Sequence, residues 1–435
     1  MNKQILRLAI PNIISNLSVP LLSSVDTALM GHLDAVYYLG ALSVGSIIFN
    51  FIYWGFGFLR MGTTGLTAQA LGNQDQDEVA RTLARTLLFA FVAGIVLITL
   101  QDLIAAVSFR LIDATPEVER YARQYFYIRI YAAPATLALY AFHGWFLGMQ
   151  NAKYPLILTV FVNVVNVAMN VLFVRRLHMT SDGVAYGTVI AQYSGLVLAF
   201  WLFRRKYAPF TVRGRRSGVF ERHALKRIFR VNSDIFLRTL GLIFTLSYFT
   251  AKSAEAGDEI LAANTILLQF ITILSYGVDG FAFASESLVG KYLGAGDAQN
   301  LRKTVHASFR WGLGLGALVA GAYGLAGEQF LRIFTDNDAV LLLCKSYLVW
   351  VVASSLINSV CFIWDGVFLG ATATAPMRNS MLFCTFFVFL PTYFLFRPAL
   401  GNHALWLALT LFMLMRGVTL TWYAGEHIFG RLQAA

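Results

Sequence analysis

Charge is scarce in this chain: 13% of its 435 residues are charged and 57% are hydrophobic, with a mean hydropathy of +0.63. That balance excludes an ordinary soluble domain of this length. Cysteine is scarcer still. Cys344, Cys361 and Cys384 lie in apolar segments without metal-like spacing, which excludes a disulfide framework and a cysteine metal site and leaves them as packing residues. Acidic residues number 23 against 34 Lys and Arg, but the basic excess sits beside apolar segments. It reads as a topology signal, and no nucleic-acid partner is expected. A cleavable signal peptide is not expected either, because the first apolar stretch, Leu6 to Leu33, is too long and has no small-residue cleavage pattern.

Long apolar runs take the place of charge. They have the length of membrane-crossing helices, about 20 residues each, and lack the short alternating pattern of an outer-membrane barrel. Buried backbone in lipid must satisfy its own hydrogen bonds, so helices are expected throughout. Hydropathy places twelve spans near 4–32, 36–71, 84–109, 120–149, 155–175, 183–203, 230–252, 260–293, 305–326, 340–370, 378–397 and 402–425. The long polar interruption Phe203–Arg230 carries ten Lys or Arg and comes after the sixth span. The positive-inside rule makes it cytoplasmic, and an even span count puts both termini on the same side, in a bacterial-type inner membrane.

The two halves resemble each other at one constant offset. LGALSVG and LTAQALGNQD superpose on LAANTIL and LVGKYLGAGD, matching Leu39 with Leu261, Gly55 with Gly277, Gly72 with Gly294 and Asp75 with Asp297. The same shift lays FHGWFLGMQ on IWDGVFLGA, with Gly144 over Gly366 and Gly148 over Gly370. The expected architecture is therefore all-α and integral to the membrane, with twelve transmembrane helices in two pseudo-symmetric six-helix bundles. The boundaries are 1–203 for the first bundle, 204–229 for a basic cytoplasmic linker and 230–435 for the second bundle. A parallel repeat of this kind suits alternating access.

Against this background Asp26, in SNLSVPLLSSVDTALMGHL, stands out. A carboxylate at membrane depth costs several kcal/mol, about 2.5 or more, unless it is paired, protonated or facing water, so it reads as functional. Counting ~1.5 Å per residue from the outer ends of the spans puts Asp26, Asn166, Asn170 and Thr188 in one layer, roughly 8–10 Å deep. Asn163 is expected to bridge helices as polar glue. A carboxylate among amides and a hydroxyl can hold a proton when neutral or a hard cation when charged. Tyr248 or Phe249 occupies the position of Asp26 in the second half, so the coupling chemistry is expected in the first bundle alone. Pro11 and Pro20 remove backbone hydrogen bonds in helix 1 and are expected to permit its bending. In the second bundle Arg238, Asp279, Glu286, Asp365 and Arg416 are expected to form an ion network, with a second proton or cation site as the alternative. His143, at the repeat position of Asp365, is expected to be a satisfied buried histidine. No nucleophile and base share a layer, so no enzymatic activity is expected.

With twelve spans, the 6+6 repeat and the P…SSVDTALMGHL pattern, the chain resembles a multidrug and toxic compound extrusion (MATE) transporter. LRMGTTGLTAQALG, DGFAFASESLVGKYLGAG and WDGVFLGATATAPMRN resemble the DinF-like branch. The resemblance implies export of cationic, often aromatic compounds in exchange for protons or sodium ions, without a cofactor or resident metal. It implies that Asp26 is the essential helix 1 aspartate, that Pro11 is the proline near which helix 1 bends, and that Asn166 and Thr188 belong to the cation site. Asn170 stands where relatives carry a second aspartate, which favours a proton over sodium as the coupling ion. Asp365 resembles a helix 10 acid of a different branch. The expected partners are small organic cations and the lipid bilayer, and the expected state is a monomer. A lipid-linked precursor flippase of similar architecture is the alternative from another class; it calls for a cationic cleft.

Overall fold

A computed structural model describes residues 1–31, 36–112, 114–210 and 218–430. His32, at the end of the first expected span, and residues 211–217 of the expected linker lie outside the described residues. Among the described residues there is no strand, and twelve helices succeed one another. Helix 1 is Asn2–Gly31; helix 2 is Val36–Gly55 continued by Phe58–Gly72; helix 3 is Gln76–Thr99 continued by Gln101–Leu111. Helix 4 joins Pro116–Arg129 to Ala133–Gly148, helix 5 is Lys153–Val171 with a wide turn to Arg176, and helix 6 is Ser181–Tyr207. Helices 7 to 10 are Arg222–Glu255, Asp258–Gly294, Ala298–Phe334 and Asp338–Gly370. Helix 11 runs from Thr374 to Leu400 through a wide turn at Cys384–Phe389, and helix 12 is Asn402–Ala424, extended to Phe429.

Ten of these helices are long and apolar enough to cross a membrane by length and composition. Helices 4 and 9 differ for local reasons. Pro134 lacks an N–H, and the backbone tightens into a 3-10 turn at Ile130–Ala132 just before it. Gly94 of helix 3 lies directly against Pro134. Helix 9 opens with Arg302, Lys303 and Arg310, which dilute its hydropathy, and has a non-helical residue at Ala326.

The repeat read from sequence recurs in the backbone. Asp75 accepts a hydrogen bond from the Glu78 amide at 2.9 Å and starts helix 3. Asp297 accepts from the Asn300 amide at 2.9 Å and starts helix 9 in the same way. Gln74 and Gly296 both have positive φ, 58° and 68°, as do Gln150 and Thr372 at 60° and 50°. Glycine is required where helices touch. A Cβ on Gly144 would lie 2.3 Å from the Arg60 carbonyl oxygen, and one on Gly366 would lie 2.2 Å from that of Ala282.

The chain divides into two compact units, Ile14–Ile228 and Met1–Ile13 with Phe229–Ala435. The expected bundle boundary placed 1–203 together; here the first thirteen residues group with the second half, and the division falls inside helix 1. Ile5, Leu8 and Ala9 are buried, and the Ala9 carbonyl and Ile13 side chain pack against Gly280 of helix 8. In the first unit Arg85, 2% exposed, donates to the carbonyls of Gly218 at 2.6 Å and Val219 at 3.1 Å. It also pairs with Glu78, so the end of the basic stretch is fastened to helix 3.

Candidate functional site

Helix 5 presents Thr159, Asn163, Asn166 and Asn170 at i, i+4, i+7 and i+11, a spacing that aligns them on one face. That face meets helix 1. Ser15 Oγ donates to Thr159 Oγ1 at 2.9 Å, and Asn163 Nδ2 donates to Ser18 Oγ at 3.2 Å. Asn170 Nδ2 donates to Asp26 Oδ1 at 2.7 Å. Asn163 thus links two helices without reaching the carboxylate. From Ile14 to Thr27 none of the described side chains of helix 1 is buried, so these polar bonds are prominent among its attachments.

The four residues expected in one layer form a continuous chain. Asn170 Nδ2 also donates to Asn166 Oδ1 at 2.9 Å, Asn166 Nδ2 donates to Thr188 Oγ1 at 3.1 Å, and Thr188 Oγ1 donates to the Val184 carbonyl at 2.9 Å. Asn170 is fully buried and Asn166 nearly so. The Asn170 amide has room because residue 187 is glycine, and its orientation follows from the carboxylate, which takes a donor. A Cβ on Gly187 of helix 6 would lie 1.9 Å from Asn170 Oδ1, so the oxygen rests against bare glycine backbone. It is buried there without a hydrogen-bond partner among the described residues, and the nitrogen is turned toward Asp26 and Asn166.

Two participants are invisible to spacing arguments. Gly187 is one. Arg129, at the last turn before the helix 4 break, is the other; it is near enough to attract Asp26 electrostatically. Its guanidinium donates to the Tyr125 hydroxyl and sits 4.6 Å from the centre of the Phe49 ring. A basic residue interrupting the apolar run of helix 4 was the available signal. Pro11 and Pro20 lie within an unbroken helix 1, and the Pro20 carbonyl accepts from Ser24 Oγ at 2.9 Å. His143 differs from expectation: its Nε2 is buried with no hydrogen-bond partner among the described residues.

In the second unit Asp365 gathers Arg238 and Arg416. Arg416 donates to both carboxylate oxygens, at 3.1 and 2.8 Å, and its guanidinium lies 5.5 Å from the Phe412 ring centre. The three side chains are nearly inaccessible. Removing the acid from such a cluster strands buried charge at a cost of about 3–5 kcal/mol. Glu286 is fully buried on helix 8, with its backbone carbonyl against Gly370. A further buried acid, Asp234, accepts from Thr374 Oγ1 at 2.9 Å and pairs with Arg378.

Asp26 can thus exist in two states with different holds on helix 5. As an anion it accepts a charge-assisted bond from Asn170; protonated, it accepts a neutral one of roughly half the strength. The amide faces the carboxylate with nitrogen, whereas a bound cation calls for oxygen.

A family model described as MatE matches residues 11–172 and 238–394. The chain is 38% identical to DNA damage-inducible protein F of Escherichia coli (strain K12), covering 96% of this chain and 91% of that protein. It is 22% identical to the probable multidrug resistance protein NorM of Photorhabdus laumondii, over 96% of this chain and 94% of that one. Its fold is shared with a multidrug resistance MATE family transporter solved in an outward-facing conformation, with a TM-score of 0.89, 18% identity, and coverage of 100% of this chain and 97% of that one.

Proposed function

The chain belongs to the MatE family of multidrug-efflux transporters, and on that premise we propose that it is a proton-coupled antiporter. It exports cationic, aromatic or amphipathic organic compounds by alternating access, with Asp26 carrying the coupling proton. The hydrogen-bonded chain from Asp26 through Asn170 and Asn166 to Thr188 carries this assignment. It places one carboxylate against an amide nitrogen, in a segment of helix 1 with no buried described side chain.

Uptake of a proton from the outer side neutralises Asp26 and weakens its bond to Asn170. The outer half of helix 1 is then freer to move, and Pro11 and Pro20 give it places to bend. Loss of the proton to the cytoplasm restores the charge-assisted bond. The Arg238–Asp365–Arg416 cluster carries a net positive charge and serves structure. The protein acts as a monomer in a bacterial inner membrane with both termini in the cytoplasm.

The test is efflux of a fluorescent organic cation from proteoliposomes under an imposed pH gradient, a sodium gradient, or neither. The wild-type protein responds to the pH gradient, and Asp26→Asn falls to the level of empty vesicles. Full activity of Asp26→Asn under the pH gradient would overturn Asp26 as the proton carrier. Stimulation by sodium alone keeps the site and changes the ion.

A further inference from the structure

A second site lies far along the chain from Asp26, within the unit formed by Met1–Ile13 and Phe229–Ala435. Met1 and Asn2 meet the first turns of helix 9 around a pocket of about 470 Å³ lined also by Gln299, Arg302, Lys303, His306 and Arg310. Arg302, His306 and Arg310 recur at i, i+4 and i+8, with Lys303 one turn from Ala307, so the cations converge on one side of the helix. Among the described residues no carboxylate lines the pocket. Asp297, which starts the helix, spends its oxygens on the backbone and side-chain nitrogens of Asn300 at 2.9 and 2.6 Å. The Arg302 guanidinium stacks 5.9 Å from the Phe429 ring centre, and the Arg302 carbonyl meets His306 Nδ1 at 2.8 Å. Three permanent cations and a histidine thus line one pocket, with no acid among its described lining residues.

We propose that this pocket binds the phosphate headgroup of an anionic phospholipid, and that one acyl chain lies along helix 9 beyond it. The choice of a lipid over a soluble anion rests on the helix surface next to the pocket. At Trp311 the helix turns apolar, and the Trp311 indole donates to Asn2 Oδ1 at 3.4 Å, as an interfacial tryptophan does. From Arg310 the same face continues through Gly314, Ala317, Gly321 and Gly324, at steps of four, three, four and three. All four are exposed, and nothing lies within 4 Å of a Cβ built on any of the three glycines. The result is a shallow apolar trough leading away from a cationic cup with room for a phospholipid headgroup, which matches a lipid's two ends. A soluble anion has no use for the trough.

The test is native mass spectrometry of the purified full chain, titrated with phosphatidylglycerol or with phosphatidylcholine of the same acyl chains. Phosphatidylglycerol is retained and phosphatidylcholine is not. Replacing Arg302, Lys303 and Arg310 together by Gln weakens phosphatidylglycerol binding about tenfold or more. The matched triple change Arg222→Gln, Lys226→Gln and Arg230→Gln, which removes three exposed cations of helix 7, leaves it nearly unchanged. Gly321→Leu, which fills the trough and alters no charge, weakens it as well. Equal weakening by the two triple variants would reduce the pocket to general surface charge. Displacement of phosphatidylglycerol by millimolar inorganic phosphate, or full binding in Gly321→Leu, would make it a soluble-anion site and overturn the lipid assignment. Should the pocket triple fail to fold, Arg302→Gln alone gives the intermediate loss or refutes it.

Discussion

Asn170 owes its room to a glycine on the neighbouring helix 6. Its amide oxygen fits only because residue 187 has no side chain: a Cβ there would come within 1.9 Å. Gly187→Ala therefore displaces the far end of Asn170 and breaks its 2.7 Å bond to Asp26. A charge-assisted bond is worth about 1.5–3 kcal/mol, so pH-driven export falls roughly tenfold or more. Asn170→Ala removes the same bond, and the double variant is expected to export no worse than Asn170→Ala alone. A double-mutant cycle on efflux rates measures this, and additive losses would show that Gly187 acts by another route. That Asp26, Asn166, Asn170 and Thr188 meet was legible in the sequence because helical rise is constant, so counting inward from the ends of helices 1, 5 and 6 brings them to one level. Gly187 and Arg129 were not. A glycine's role depends on which atom of a neighbouring helix faces it, and a cation's on which face of its own helix turns inward; neither is contained in depth.

At the scale of helices, the repeat is carried by contacts as well as letters. Gly144 and Gly366 each let a neighbouring helix bring a carbonyl oxygen within 2.3 Å or 2.2 Å of where a Cβ would sit, and Gly370 does the same against the Glu286 carbonyl at 2.3 Å. These obstacles are backbone, which cannot rotate away as Asn170 can. Gly144→Ala and Gly366→Ala are accordingly expected to destabilise the protein by similar amounts, about 1–3 kcal/mol each. Gly314→Ala, with open space around it, is expected to be neutral or to stabilise by about 0.5–1 kcal/mol. Thermal unfolding in detergent, monitored by loss of monodisperse protein, ranks the three; a Gly366→Ala protein as stable as Gly314→Ala would contradict the close helix contact. All twelve helices were legible in the hydropathy, helices 4 and 9 less plainly than the rest, but their ends were not. Helix 9 starts at Ala298 rather than 305 because its charged first turns are held by the Asp297 cap and the N-terminal residues, which a hydropathy window counts against a span. The Ala326 irregularity and the wide turn at Leu172–Arg176 left no mark in the pattern, whereas the wide turn at Cys384–Phe389 has one in Pro391, whose missing N–H leaves the Phe387 carbonyl without its helical donor.

For the whole molecule, two observations bear on how the chain lies in the membrane. Ten basic residues cluster in Phe203–Arg230, and the described residues form twelve helices, an even count. The grouping of Met1–Ile13 with the second half was not legible, since it arises from Ile5, Leu8 and Ala9 packing against helix 8 rather than from any repeat. It does, however, keep the N-terminus at the helix ends from which Ala298 also starts. The positive-inside rule then assigns Met1, the basic stretch and the turn before helix 9 to the cytoplasm, and the turn before helix 10 to the outside. The three native cysteines are free and buried, so a membrane-impermeant maleimide finds little background. Asp336→Cys, at an exposed position before helix 10, is expected to react in intact cells. Ala298→Cys, exposed at the start of helix 9, is expected to react only after permeabilisation. The reverse pattern would invert the orientation and move Asp26 to the cytoplasmic half of the membrane. Proton entry from outside would then have to reach a carboxylate on the far side, and the coupling cycle proposed for Asp26 would run in the wrong direction for export.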